Sequence, residues 1–113
     1  MGLPKRRLGR TGEEVSILGL GGEGVLRTDG HKKEAYALIN KAIDLGINYL
    51  ESARAYSDSE SYYGYSLKER RRDIFLASKC HARNKKGALA HLHETMKNMA
   101  TPHTCCLNAD QNL

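Results

Sequence analysis

Residues 31–46, HKKEAYALINKAIDLG, run directly into INYLESA at 47–53, and this helix-to-strand junction is the feature that most constrains the fold. Ala35, Leu38, Ile39, Ala42 and Ile43 recur at helical spacing, and Gly46 stands where a helix-terminating glycine belongs. The period then changes. Ile47, Tyr49 and Glu51 alternate with Asn48, Leu50 and Ser52, the two-residue repeat of a strand. Downstream the exchange recurs: Ser57, Asp58 and Ser59 offer N-caps for a helix through ESYYGYSLKER, and DIFLASK reads as a strand. KKGALAHLHETMKNM follows as a helix with Leu89, Leu92, Met96 and Met99 in one stripe. Upstream, RLGRTGEEVSILGLG at 7–21 predicts a short hairpin turning at Thr11-Gly12 and a buried strand over VSILGL. The order β-α-β-α-β-α implies an α/β fold with parallel strands covered by helices. ATPHTCCLNADQNL has no period, so the chain divides into a domain over 1–99 and an irregular tail over 100–113.

A chain of 113 residues, 40% hydrophobic and 27% charged, suits one globular domain. No apolar run approaches the ~20 residues that span a bilayer. The start, MGLPKRRLGR, lacks the apolar stretch of a secretory signal, and Arg6 stands where a myristoylation motif wants Ser or Thr. These features predict a soluble, cytoplasmic protein. Cys80 is alone and Cys105-Cys106 are adjacent, a poor arrangement for a structural disulfide. The net charge of +5 suits an anionic ligand, a phosphorylated cofactor or a nucleic acid.

Several segments could carry chemistry. GLGGEG at Gly19–Gly24 fits G-x-G-x-x-G, but VLRTDGH delays the next helix, so no helix N-terminus faces a pyrophosphate as a Rossmann unit requires. The plainer reading is a βα loop whose glycines permit close backbone approach. Glu51 and Lys79 fall at the ends of successive parallel strands, with Tyr56 on the loop between them. Alternation puts Phe75, Ala77 and Lys79 on one face, as it does Ile47, Tyr49 and Glu51. If both faces point into a barrel, acid, amine and phenol converge at its C-terminal rim, where such folds do chemistry. A lysine ammonium beside a phenol favours the phenolate and lowers its pKa from ~10, and a carboxylate would hold that lysine in place. Spacing alone leaves a strand-end ion pair beside a surface tyrosine equally open.

His91-x-His93 points to two sides of a helix, so these histidines, with His103, Cys105 and Cys106, predict no metal site. The clusters Lys5-Arg6-Arg7 and KERRR at 68–72 carry interleaved acids and no nucleic-acid motif, and read as solvated.

RRLGRTGEEVSILGLGG, LINKAIDLGINYLESARAYSDSE and RRDIFLASK together resemble the N-terminal part of aldo-keto reductases, over about residues 5–99 and nearest to bacterial predicted oxidoreductases. The resemblance implies a (β/α)8 TIM barrel and NADP(H)-dependent reduction of carbonyls or oxidation of alcohols. Family members keep an Asp, Tyr, Lys and His tetrad. Matched by position, Tyr56 is the proton donor, Lys79 modulates it, and Glu51 replaces the aspartate with one extra methylene. Gly22 and Glu23 would approach the nicotinamide. The family usually follows its tyrosine with glycine, where this chain has Ser57. No recognisable fourth strand carries the tetrad histidine, and His103 is not assigned that role.

Three of eight units are present, against roughly 250 residues for a full barrel. The expectation is a truncated reductase, inactive alone, with an exposed third-strand edge and inward Tyr49 and Phe75 lacking a covering layer. An alternative is a non-catalytic protein that self-associates through that edge; nucleic-acid binding through the basic clusters is a weaker one.

Overall fold

The computed structural model describes residues 2–104 and the backbone of 106–109. The first helix, α1 (Lys32–Asp44), forms where the sequence predicts it and buries Ala35, Ile39 and Ala42, with Ile43 packed alongside and Leu38 left on the surface. Two bonds close its end: Gly46 N–H donates to Ile43 O (2.9 Å) and Ile47 N–H to Ala42 O (3.1 Å). This paired capping needs a left-handed residue, and Gly46 supplies it at φ +107°.

The cap turns the chain into β3 (Tyr49–Glu51), which pairs in parallel with β4 (Phe75–Cys80). Ahead of them β1 (Lys5–Arg7) and β2 (Glu14–Ser16) form an antiparallel hairpin. Between β3 and β4 lie α2 (Ser59–Leu67) and a 3-10 turn (Lys68–Asp73), and α3 (Lys85–Asn98) follows β4. Asn84 caps α3, its side chain accepting from Gly87 N–H at 2.7 Å.

One face of the sheet, Leu50 and Leu76, meets Leu26, Ile39, Tyr63 and Met99 in a core from which water is excluded. Each such side chain contributes roughly 1.5–3 kcal/mol by leaving water. The opposite face carries Tyr49, Glu51, Phe75, Ala77 and Lys79, with the Tyr49 and Phe75 rings edge to face at 5.3 Å. Phe75 is buried rather than bare.

Three expectations need correction. VSILGL is not a continuous strand: only Glu14–Ser16 is extended, in the hairpin, and Leu20 alone bridges in parallel to Leu50. Ser16 and Asn48 exchange side-chain bonds (Ser16 N–H to Asn48 Oδ1, 2.7 Å; Asn48 N–H to Ser16 Oγ, 3.1 Å), and the Ser16 hydroxyl bonds Leu18 O. These contacts take the place of ladder bonds and leave Ile17 and Leu18 exposed. Second, the α3 stripe buries Met99 but exposes Leu89, because fully buried Thr95 makes the inward contact instead.

Third, the segment expected as an irregular tail contains a strand, β5 (Cys106–Ala109), pairing in parallel with β4 from Ala77↔Cys106 to Cys80↔Ala109. It satisfies the backbone groups of the β4 edge, which the sequence reading left bare and made the premise of self-association. Arg71 fixes the connection, donating to Thr101 Oγ1, Ile74 O and His103 O at 2.9–3.0 Å. Cys105 lies outside the described residues. No helix among the described residues is long and apolar enough to cross a membrane.

Candidate active site

Parallel register brings the predicted acid and amine together. Glu51 stands opposite Ala77, so Lys79, two residues on, projects from the same face just past the end of β3. The ladder continues beyond the strand, with Ser52 N–H bonded to Ala77 O and Arg54 N–H to Lys79 O, both at 2.9 Å. Lys79 Nζ pairs with Glu51 Oε2 and donates to Ser52 O at 3.0 Å. The other carboxylate oxygen accepts from Gly22 N–H at 3.1 Å. The pair is 21% and 34% exposed for lysine and glutamate, so solvent reaches it and the attraction is that of a surface pair, about 1 kcal/mol.

Tyr56 sits on a tight turn after β3: its N–H bonds Ala53 O (3.1 Å) and its carbonyl accepts from Ser59 N–H (2.9 Å). Ser57 completes the turn at φ +49°, a left-handed conformation that explains why glycine suits this position. The Lys79 ammonium lies 4.8 Å from the centre of the Tyr56 ring. The three residues singled out in the sequence therefore meet in space. A second cation joins them: Arg27 Cζ lies 5.3 Å from the same ring centre, and its Nη1 pairs with Glu23 at 2.6 Å. Sequence reasoning passed over Arg27, although its spacing of four from Glu23 signalled an ion pair.

The glycine loop is shaped by β3. A Cβ on Gly22 would lie 2.5 Å from both Glu51 O and Ser59 Oγ, so glycine is needed there for packing against the protein's own backbone. Gly22 spends its N–H on Glu51, and Glu23 spends its carboxylate on Arg27. Gly21, in contrast, is exposed, its nearest neighbour being Glu51 Oε1 at 3.7 Å from a Cβ built there. An open groove of about 550 Å³ lies between the hairpin and the inner face of β3, bounded by Arg7, Ile17, Gly21, Tyr49 and Glu51.

Behind the rim lies a buried carboxylate that sequence reasoning missed. Glu60 is 2% exposed. Its Oε1 pairs with Arg54 Nη1 (2.8 Å) and accepts from Asn98 Nδ2 (3.3 Å), while Oε2 accepts the hydroxyls of Ser78 (2.5 Å) and Thr95 (2.7 Å). Arg54 and Ser78 neighbour Tyr56 and Lys79 in sequence, so this one carboxylate ties together the two segments that carry them. Further from the rim, His91 packs against His81 at 4.6 Å between ring centres. Desolvation, then the nearby His81 and Arg54 charges, lower its pKa. Among the described residues no three His, Cys, Asp or Glu side chains cluster as metal ligands. The KERRR segment is partly engaged: Arg70 pairs with Asp44 at 2.6 Å, and Arg71 holds the chain leading to β5.

Residues 17–104 match the pattern of the Aldo/keto reductase family. The chain belongs to that family. This aldo/keto reductase chain is 38% identical over 77 residues to an uncharacterized oxidoreductase, YqkF, of Bacillus subtilis, a match covering 66% of the chain and 24% of the relative. Its fold superposes on an aldo-keto reductase from Pseudomonas aeruginosa with a TM-score of 0.81 at 29% identity, covering 96% of the chain and 46% of the neighbour. An aldo/keto reductase from Klebsiella pneumoniae, solved in complex with NADP and acetate, gives 0.76 at 21% identity, over 85% of the chain and 35% of that protein, which is a likeness of fold. The chain thus spans less than half of the relatives it matches.

Proposed function

We propose that this aldo/keto reductase chain supplies the acid–base end of an NADP(H)-dependent reduction of small carbonyl compounds, or of the reverse alcohol oxidation. The observation that carries the reading is Lys79, whose ammonium pairs with Glu51 and lies 4.8 Å from the Tyr56 ring centre. Tyr56 would donate its phenolic proton to the carbonyl oxygen. Lys79 would stabilise the phenolate left behind, and partial exposure lets water return the proton. Glu51 keeps the ammonium from turning away, and the extra methylene relative to aspartate is taken up by its reach to both Lys79 and Gly22.

The fit of a nicotinamide rests on the exposed Gly21 and the open groove that ends at Glu51, which leave room for a flat ring beside the ion pair. The backbone of Gly21–Glu23 would line it, while Gly22 serves mainly to position Glu51. When bound, the cofactor supplies hydride to the carbonyl carbon. The choice of NADP draws on the Klebsiella neighbour solved with that ligand. A cytoplasmic setting accords with the buried Cys80 thiol.

The 113-residue span by itself is expected to turn over far below the ~1 s⁻¹ at which ordinary enzymes begin. The test is NADPH oxidation by the purified chain with a panel of aldehydes. A slow rate abolished in Tyr56→Phe and reduced in Lys79→Met is expected. A rate unchanged in Tyr56→Phe would refute the assignment, and full-speed turnover by the wild type would refute the expected low activity of the span.

A further inference from the structure

We infer that Arg27 forms an anion subsite beside Tyr56, so that the carbonyl compounds this site takes are those carrying a carboxylate. The inference rests on the reading of Tyr56 as the group facing the carbonyl. Two ion pairs lie beside the phenol, Glu51–Lys79 and Glu23–Arg27, with the cations 4.8 and 5.3 Å from the ring centre. The first pair is held by backbone as well, through Gly22 N–H and Ser52 O, and is committed to the protein. The second is different. Arg27 is 44% exposed and Glu23 60% exposed. Among the described residues the Arg27 guanidinium donates only to Glu23, through Nη1. Its guanidinium carries further N–H donors in the planar fork that matches a carboxylate.

Arg27 is also placed rather than loosely tethered. It follows the 3-10 turn Gly24–Leu26, whose Leu26 is buried in the core, and its own N–H bonds Gly24 O at 3.4 Å. The cation–π contact, with Arg27 Cζ 5.3 Å from the ring centre, keeps the guanidinium beside Tyr56. A molecule with its carbonyl oxygen at the Tyr56 hydroxyl and a carboxylate a few bonds away can therefore meet Arg27 without moving the backbone. Glu23 competes with that carboxylate for the same cation, so it acts as a weak placeholder.

The test uses the purified 113-residue chain with ¹³C-labelled tyrosine, the Tyr56 ring signal being identified by its loss in Tyr56→Phe. The probes are 4-formylbenzoate and its methyl ester, which differ in charge. The acid is expected to shift the Tyr56 signal at concentrations at least tenfold below the ester, a preference lost in Arg27→Gln and kept in Arg27→Lys. Glu23→Gln, which removes the competing carboxylate, is expected to tighten the acid about two- to fivefold, the scale of an exposed pair. Equal response to acid and ester, no response to either, or a preference that survives Arg27→Gln would overturn the subsite. The outcome separates from that of the catalytic reading. Acid-selective binding without NADPH turnover leaves the subsite standing and the reductase reading failed. Tyr56-dependent turnover equally good with acid and ester does the reverse.

Discussion

Glu51 and Lys79 meet across two parallel strands at positions offset by two residues: the carboxylate ends β3, and the ammonium reaches back from two residues beyond Ala77, the register partner of Glu51. The glutamate spans two neighbours at once, Lys79 and the Gly22 N–H. Shortening it should break one of these contacts. Glu51→Asp is expected to lose about 1 kcal/mol of unfolding free energy, and Glu51→Ala about 1–3 kcal/mol, in urea titrations. An aspartate variant as stable as the wild type would show that the longer side chain is not needed to bridge loop and sheet.

Glu60 should matter more than Glu51, because it is sealed from water and carries four partners. Glu60→Ala leaves the Arg54 guanidinium and two hydroxyls without their acceptor. Breaking a buried pair from one side costs roughly 3–5 kcal/mol, enough to unfold a marginal domain. Glu60→Gln keeps the shape and is expected to cost less, and denaturant melts of the two variants give the ranking.

Adjacent glycines of the loop should respond in opposite ways. Gly22→Ala drives a methyl into Glu51 O and Ser59 Oγ and is expected to cost ~1–3 kcal/mol or more, with loss of the bond to the Glu51 carboxylate. Gly21→Ala meets nothing closer than 3.7 Å and should change the melting temperature little. Equal effects would contradict the close approach at Gly22.

Ser57 holds a left-handed backbone beside Tyr56. Ser57→Gly removes a steric cost of about 1 kcal/mol, partly offset by the greater freedom of glycine in the unfolded chain. A small rise in thermal midpoint is expected, and a fall would show that the serine is stabilised in some other way.

Alkaline pH should weaken the fold through Tyr63. The ring is fully buried, its hydroxyl donates to Leu20 O (3.2 Å) and Glu51 O (3.1 Å), and burial pushes its pKa well above the usual tyrosine value. The folded state thus retains a proton that the unfolded chain gives up near ~10. This contribution is fully present below that pH and falls by about 1.4 kcal/mol per unit above it. Urea titrations across that range should show the slope reduced in Tyr63→Phe.

The elements legible in the sequence were those written in local terms. Gly46 closes α1 and announces that boundary by backbone chemistry, whereas the Asn84 cap of α3 was not read from the sequence. Glu51, Tyr56 and Lys79 were legible because strand ends are countable and parallel register does the rest. The VSILGL segment misled because apolar β-branched composition cannot show that Ser16 and Asn48 divert the ladder. β5 has no period, since it is recruited by the free edge of β4 rather than by its own pattern. Glu60 escaped notice because α2 is buried on several sides, at Ser59, Tyr62, Tyr63, Ser66 and Leu67, and so lacks the one-sided stripe that marks a solvent-facing acid.

The single Leu20–Leu50 bridge has a kinetic meaning. The stretch from Ile17 to Gly22 touches the sheet through that bridge and the Gly22–Glu51 bond, and α2 through the Tyr63 hydroxyl, while β3 and β4 are joined by a full ladder. A segment held at so few points can lift as a unit while the ladder stays closed. In amide exchange, the Leu20 and Gly22 protons should therefore leave together and well before those of Leu76 and Ala77. Each lift strips Glu51 of its backbone donor, while buried Leu26 keeps Arg27 in place. The lifetime of the assembled rim is then the closing interval of one short loop, not the lifetime of the fold.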